Sequence, residues 1–296
     1  MMKFSGKQLS IPFAIVLAFV ASIMPVTSYL ISLSLFGLPH IYYELSYINN
    51  RCGNHMSTSF KTAILLVLCL LCSCSLVAII VPITYYVEMV LALAFLLILI
   101  TYIYVPSMLC FSLLLGFAAA VTFNPILVFF LMAFLHNFSP WAFLKERQAS
   151  QNAFFIFIIL PILISCASHY LSLDYSIHTE SQIPVYLAHY IPLPWQQFSF
   201  TKAIFATAVY LQLIHYDSTI RLLPSYMTSK IKLPVIIIMI FAIAYISFMI
   251  NFAMSRSFYS IFAAFHAWLE VPVLLALFSY KMKFDSSDKL LSETYP

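Results

Sequence analysis

Residues 62–82 read Thr62-Ala-Ile-Leu-Leu-Val-Leu-Cys-Leu-Leu-Cys-Ser-Cys-Ser-Leu-Val-Ala-Ile-Ile-Val-Pro82, without a single Asp, Glu, Lys or Arg. About 20 consecutive apolar residues span the hydrocarbon core of a bilayer as a helix. Outward from this run the pattern repeats: apolar segments cover roughly 11–35, 86–104, 106–121, 124–138, 153–171, 203–220, 233–254 and 257–280. Pro, Asn, Ser or charged residues separate them, and the gaps leave little room for a soluble domain. The whole chain agrees: of 296 residues 63% are hydrophobic and 8% charged, with a mean hydropathy of +0.99. Soluble domains carry roughly 25% charged residues, so a soluble globular protein is excluded. The expectation is an all-α, polytopic integral membrane bundle of eight to ten transmembrane helices. It forms a single domain over 1–283, followed by a short polar cytoplasmic tail at 284–296.

The segment Gly37 to Asn50 is shorter and more polar, and it decides the parity of the topology. Cytoplasmic loops concentrate Lys and Arg. Lys3/Lys7, Arg51/Lys61, Lys145/Arg147, Arg221/Lys230/Lys232 and Lys281/Lys283/Lys289 fall on one side only if 37–50 also crosses. That gives ten helices with both ends cytoplasmic; eight or nine follow if 37–50 is re-entrant or 106–138 is one broken element. The loop at 172–200 then faces outward with Asp174, Glu180 and no Lys or Arg. Its Tyr190, Pro192, Pro194 and Trp195 have the composition of an interfacial anchor over a cavity mouth. A bacterial plasma membrane is the expected location, and no internal repeat is visible.

The net charge of +4 comes from scattered cations, which is not a nucleic-acid footprint. Four glycines provide no phosphate-cradling loop. Cys69, Cys72, Cys74 and Cys110 lie in apolar runs and read as small packed hydrophobes. The Cys69-Leu-Leu-Cys72 redox spacing has no neighbouring base. Closely spaced His boxes of membrane desaturases, intramembrane-protease signatures and Asp-rich prenyl-transferase motifs are all missing.

Ionisable groups inside a bilayer are costly and point to function. Four stations stand out. His40 and Glu44 are four apart on one helical face, continued by Tyr47 and Arg51. His266 and Glu270 repeat the spacing, and two helices with the same His-x-x-x-Glu pattern form the most specific signal in the chain. Gln212, His215 and Ser218 or Thr219 share a third face, beside an Asp217–Arg221 pair; His136-Asn137 is the fourth station. At about 1.5 Å per residue, the ten-helix arrangement puts His40 near the outer boundary and His136 and His215 deeper, a vertical spread of roughly 12 Å.

Imidazole and carboxylate suit a first-row metal such as iron without thiolate. Zinc accepts the same donors and would imply hydrolysis. The expected metal set is His40, His136, His215, His266, Glu44 and Glu270, with Glu44 or Glu270 ligating or orienting an imidazole. Tyr42, Tyr43, Tyr47, Tyr216, Phe262, Phe265 and Trp268 are the expected lining of a pocket for a long apolar substrate. His55, His178 and His189 read as solvated loop residues, Glu88 as a headgroup-level carboxylate, and Asn251 as packing or capping.

With Gly37-Leu38-Pro39-His40 and further His residues on later helices, the chain resembles the Brp/Blh family of membrane-bound β-carotene 15,15′-dioxygenases. The resemblance implies an all-helical membrane enzyme whose histidines hold a catalytic iron that splits a carotenoid double bond. Where that family has glycine after the first His and an acid shortly after, this chain has Ile41 and then Glu44. The expectation is an iron-dependent oxygenase acting on a lipid-soluble substrate such as a carotenoid. Two competing classes are a permease for protons or a divalent cation, and a non-catalytic membrane partner protein.

Overall fold

The structure is a computed structural model. It describes residues 9–52, 58–80, 125–146, 152–171 and 182–278 except 189, 228–230 and 232, together with isolated positions 87, 90–92, 94, 95, 112, 115, 116, 119, 120, 122, 123, 173, 175 and 178. The segments expected at 86–104 and 106–121 fall largely outside these residues, and so do His55, Glu88, Cys110, His189 and the tail. Among the described residues the fold is all-α, with no strand.

The first departure from the sequence reading lies at the N-terminus. The run 11–35 is not one helix. Helix α1 (Ile11–Ile23) stops at Met24, whose φ of −128° and ψ of 59° leave the helical region, and α2 (Pro25–Cys52) starts on the next residue. The cause is Pro25: its ring disfavours helical geometry at the preceding residue, while its missing N–H costs nothing at a helix start. The two axes differ by 118°. Gly37–Asn50 is correspondingly no separate element but the second half of α2, running through Pro39. The two elements expected at 11–35 and 37–50 are thus replaced by two at 11–23 and 25–52.

Helix α3 covers Thr58–Ile80, α4 Pro125–His136 and α5 Ser139–Glu146. A π-helical turn at Phe155–Ile159 leads into α6 (Leu160–Leu171), and a buried hydrogen bond from Tyr210 Oη to Ile156 O (2.9 Å) anchors that turn. Then follow the short α7 (Ile183–Leu187) and α8 (Thr201–Asp217), which continues through a second π turn at Ser218–Leu222. Helices α9 (Val235–Ile250) and α10 (Phe252–Phe278) meet at Asn251, whose side-chain oxygen accepts from Met254 N at 3.1 Å and caps α10. Capping was the role read for Asn251 from sequence.

Helix α8 is the buried axis, packed on α6, α1 and α2. It is apolar all round because it is enclosed all round, with 13 of its residues buried. Helix α2 joins this half to a second one in which α10 packs on α3. There Leu68, Leu71, Phe95 and Trp268 form a separate cluster. Helix α9 has the same apolar character but the opposite placement: Phe248 is its single buried residue, and Val235, Ile243 and Ile250 are 72%, 61% and 80% exposed. Among the described residues one helix, Thr58–Val77, is long and apolar enough to cross a membrane by itself, or two if the bent pair α1–α2 counts as one span.

Candidate metal centre

Two long helices and two helix ends build the site. His40 is the sixteenth residue of α2 and His266 the fifteenth of α10, each near the middle of its helix. His136 is the last residue of α4, and His215 lies two residues from the end of α8. The C-terminus of α4 carries partial negative charge that favours a cation beside His136, whereas His215 lies where α8 passes into the π turn. His40 lies about 22 Å along a 28-residue helix at 1.5 Å per residue, not in a short separate segment. All four imidazoles offer nitrogens that lie within 4.8 Å of one another, and so do the donor atoms of Glu44, His215, His266 and Glu270.

The hydrogen bonds fix which nitrogens are bare. His40 Nδ1 and His266 Nδ1 each lie 3.2 Å from a carbonyl four residues back, that of Phe36 and that of Phe262. A carbonyl only accepts, so both Nδ1 atoms carry hydrogen and, in the neutral ring, both Nε2 atoms present a lone pair. His136 Nδ1 donates to Glu270 Oε2 at 2.7 Å, which leaves its Nε2 bare as well. These three nitrogens face one another, with His266 Nε2 3.2 Å from His40 Nε2 and 3.0 Å from His136 Nε2. Lone pairs repel at that separation unless a cation sits between them. A metal about 2.1 Å from each nitrogen spaces its ligands by about 3.0 Å at right angles and about 3.4 Å at tetrahedral angles, and the observed spacings fall in that range. A single proton on His266 Nε2 is the other cation that fits.

The two His-x-x-x-Glu helices work alike, which is a correspondence that sequence reading passed over. In each the His aims Nε2 inward while its Glu reaches the His at a helix end. Glu270 takes His136, and Glu44 lies 3.3 Å from His215 Nε2. The two carboxylates nevertheless differ. Both Glu270 oxygens are engaged, Oε2 by His136 and Oε1 by Ser139 Oγ at 2.9 Å, so Glu270 orients an imidazole. Glu44 is fully buried, and among the described residues neither of its oxygens accepts a hydrogen bond. A bare buried carboxylate beside inward-facing imidazoles fits a cation at the centre. The six residues expected from sequence are therefore brought together. Ser139 was missed; three residues past His136, at the start of α5, it carried no signal of its own.

A cavity of about 300 Å³ adjoins the centre, lined by His40, His136 and His266 with Leu71, Met132 and Trp268 among its apolar walls. Tyr216 and Phe265 line it as expected, whereas Tyr42, Tyr43, Tyr47 and Phe262 do not. Tyr42 and Tyr43 stand two and three residues after His40 and turn away, Tyr42 against Phe241. Phe262 is 56% exposed. Tyr190 and Tyr259 replace them. Tyr259 lies seven residues before His266, two turns along the same face; Tyr190 comes from the 172–200 loop, which reaches the cavity as read from sequence. The remaining polar groups have other duties. Gln212 binds Tyr190 Oη (2.6 Å) and Ser32 Oγ (2.9 Å) instead of joining the centre. Asp217 holds Arg221 in a two-pronged ion pair with both contacts at 2.7 Å. His178 is half-buried against Thr27 and Tyr186, not solvated. Cys69, Cys72 and Cys74 form no disulfide.

No family model, curated protein or solved structure matches the chain.

Ser139→Ala removes the donor on Glu270 Oε1 and loosens the carboxylate that aims His136. Outer hydrogen bonds of this kind set metal affinity by about 10- to 100-fold, and a loss of about tenfold is expected in competition with a chelator. Unchanged affinity would mean that His136 keeps its aim without Glu270 being fixed.

Proposed function

We propose that the protein is a membrane-embedded, iron-dependent oxygenase acting on a lipid-soluble substrate. The observation that carries this reading is the convergence of three bare Nε2 atoms and a buried carboxylate that accepts no hydrogen bond among the described residues, beside an apolar cavity. Nitrogen and oxygen donors without thiolate suit iron, and when bound, iron supplies the redox chemistry by which dioxygen attacks an apolar framework. The chain's own residues hold and aim the donors. Glu270 and Ser139 set the His136 ring, the Phe36 and Phe262 carbonyls set His40 and His266, and the cavity walls keep water away.

The membrane location is supported by an inverted distribution of polarity. His40, Glu44, His215, His266 and Glu270 are buried, while α9 and parts of α1, α3 and α6 present large aliphatic and aromatic side chains outward. Soluble monomers rarely expose contiguous apolar patches beyond a few hundred Å², and lipid removes that penalty. Helices satisfy their own backbone groups in hydrocarbon, in keeping with the all-α fold. The resemblance at Gly37-Leu38-Pro39-His40 points the same way and makes carotenoids natural first substrates to try.

The test is oxygen uptake by detergent-extracted protein loaded anaerobically with ferrous iron and offered carotenoids and isoprenoid lipids. Uptake that needs iron and lipid together is the expected result. Absence of uptake, with ferrous iron or protons instead crossing proteoliposomes, would overturn the reading in favour of a permease.

A further inference from the structure

Two tyrosines that hold each other line the cavity beside the centre. Tyr216 Oη and Tyr259 Oη are 3.3 Å apart, and both residues are buried and line the cavity. Tyr216 follows His215 and stacks on the His40 ring, with centroids 4.2 Å apart and planes at 28°. The pair therefore borders the imidazoles. Two phenols carry two O–H hydrogens, and their mutual bond uses one. Among the described residues no acceptor takes the second, so one donor and spare oxygen lone pairs remain at the cavity wall. Burying a hydroxyl without a partner is costly. An occupant that supplies an oxygen there removes that cost.

Helix α2 is shaped to admit this arrangement. Gly37, one turn before His40, lies so close to the Tyr259 ring that an added Cβ would fall 2.9 Å from Tyr259 Cε2. Any larger residue at position 37 displaces the ring, and with it the hydroxyl that faces Tyr216. The rest of the lining is mostly apolar: Leu68, Leu71, Met132, Ala263, Phe265 and Trp268.

We infer that Tyr216 and Tyr259 form the polar end of the substrate cavity and select an apolar lipid bearing a hydroxyl or carbonyl oxygen. The oxygen takes the free phenolic hydrogen while the chain lies along the apolar walls. An unsubstituted hydrocarbon leaves that hydrogen unmatched and is the poorer ligand. This inference rests on the reading of the cavity as the substrate site.

The experiment uses Trp268, which lines the cavity, as the sole indole reporter, in a background carrying Trp141→Phe and Trp195→Phe that counts as the wild type below. The full chain in detergent is titrated with 11-bromoundecanol and with 1-bromoundecane, whose bromine quenches indole fluorescence, and bound metal is measured on the same samples. One hydrogen bond of net 0.5–1.5 kcal/mol corresponds to about two- to tenfold, so the alcohol is expected to quench at about two- to tenfold lower mole fraction in the wild type. Tyr216→Phe with Tyr259→Phe removes that preference while metal content persists. Gly37→Ala weakens it with both hydroxyls still present, a result that loss of the phenol chemistry alone would not produce. Equal quenching by alcohol and bromoalkane in the wild type would overturn the tyrosine subsite and leave the oxygenase reading intact. No quenching by either would overturn both, because the cavity would then admit no apolar chain.

Discussion

Replacing His266 by alanine is expected to abolish metal binding at the proposed centre. His266 Nε2 stands 3.2 Å from His40 Nε2 and 3.0 Å from His136 Nε2, so it is the vertex that joins the two. Without it, the Nε2 atoms of His40 and His136 each lose their 3.0–3.2 Å neighbour, and the centre loses an imidazole already aimed by the Phe262 carbonyl. Removing an outer hydrogen bond costs about 10- to 100-fold in affinity, and removing a ligand costs more than that. Elemental mass spectrometry of detergent-purified protein should find metal near one per chain in the wild type and background levels in His266→Ala. His40→Ala should behave alike. His178→Ala, which alters an imidazole on Thr27 and Tyr186, should retain the full amount. Stoichiometric metal in both His40→Ala and His266→Ala would sink the centre as described. Absence of metal from the wild type even after anaerobic reconstitution would leave a proton on His266 as the cation.

The site was legible in the sequence because helical geometry is local. His40 with Glu44 and His266 with Glu270 are one turn apart, and a four-residue spacing puts them on one face wherever the helix goes. The place of His40 along its helix was not legible, since it depended on one junction. With α1 and α2 read as one span over 11–35, His40 belonged to a short later segment near a boundary. The break at Met24–Pro25 instead places it at the middle of a 28-residue helix. The proline signal was present in the sequence but was outweighed by unbroken hydropathy on both sides. The face of α10 likewise held more than was taken from it: Tyr259 shares the stripe of His266, whereas Phe262 was credited with lining the pocket and points outward. Tyr190 and Ser139 reach the site from a loop and a turn, where no periodicity reports direction. The distinct duties of the two glutamates depend on what each meets across the bundle, which no spacing within one helix encodes.

That difference between the glutamates yields the second large effect, with opposite signs for two identical substitutions. Glu44 is 0% exposed, accepts no hydrogen bond among the described residues, and has His215 Nε2 3.3 Å away. In the metal-free protein a carboxylate so placed lacks the solvation and the donors that offset its charge. Glu44→Gln removes the charge at nearly constant shape, and its amide can donate to the His215 Nε2 lone pair. The metal-free protein is therefore expected to gain about 1–3 kcal/mol of stability, the cost of a buried acceptor left without a donor. Metal affinity moves the other way, by about 100-fold or more, because the anion that balances the cation is gone. Glu270→Gln behaves differently. Its oxygens take His136 Nδ1–H and Ser139 Oγ–H, so an amide replaces a charge-assisted bond to His136 by a neutral one and obliges the Ser139 hydroxyl to give up its donation and accept from the new NH2. Here stability of the metal-free protein falls by about 1–3 kcal/mol, together with metal affinity. Denaturation of both variants with and without metal measures all four quantities. A metal-free Glu44→Gln protein that is less stable than wild type, with metal affinity unchanged, would show that Glu44 is neutral or paired with a protonated His215. It would then take no part in holding a metal.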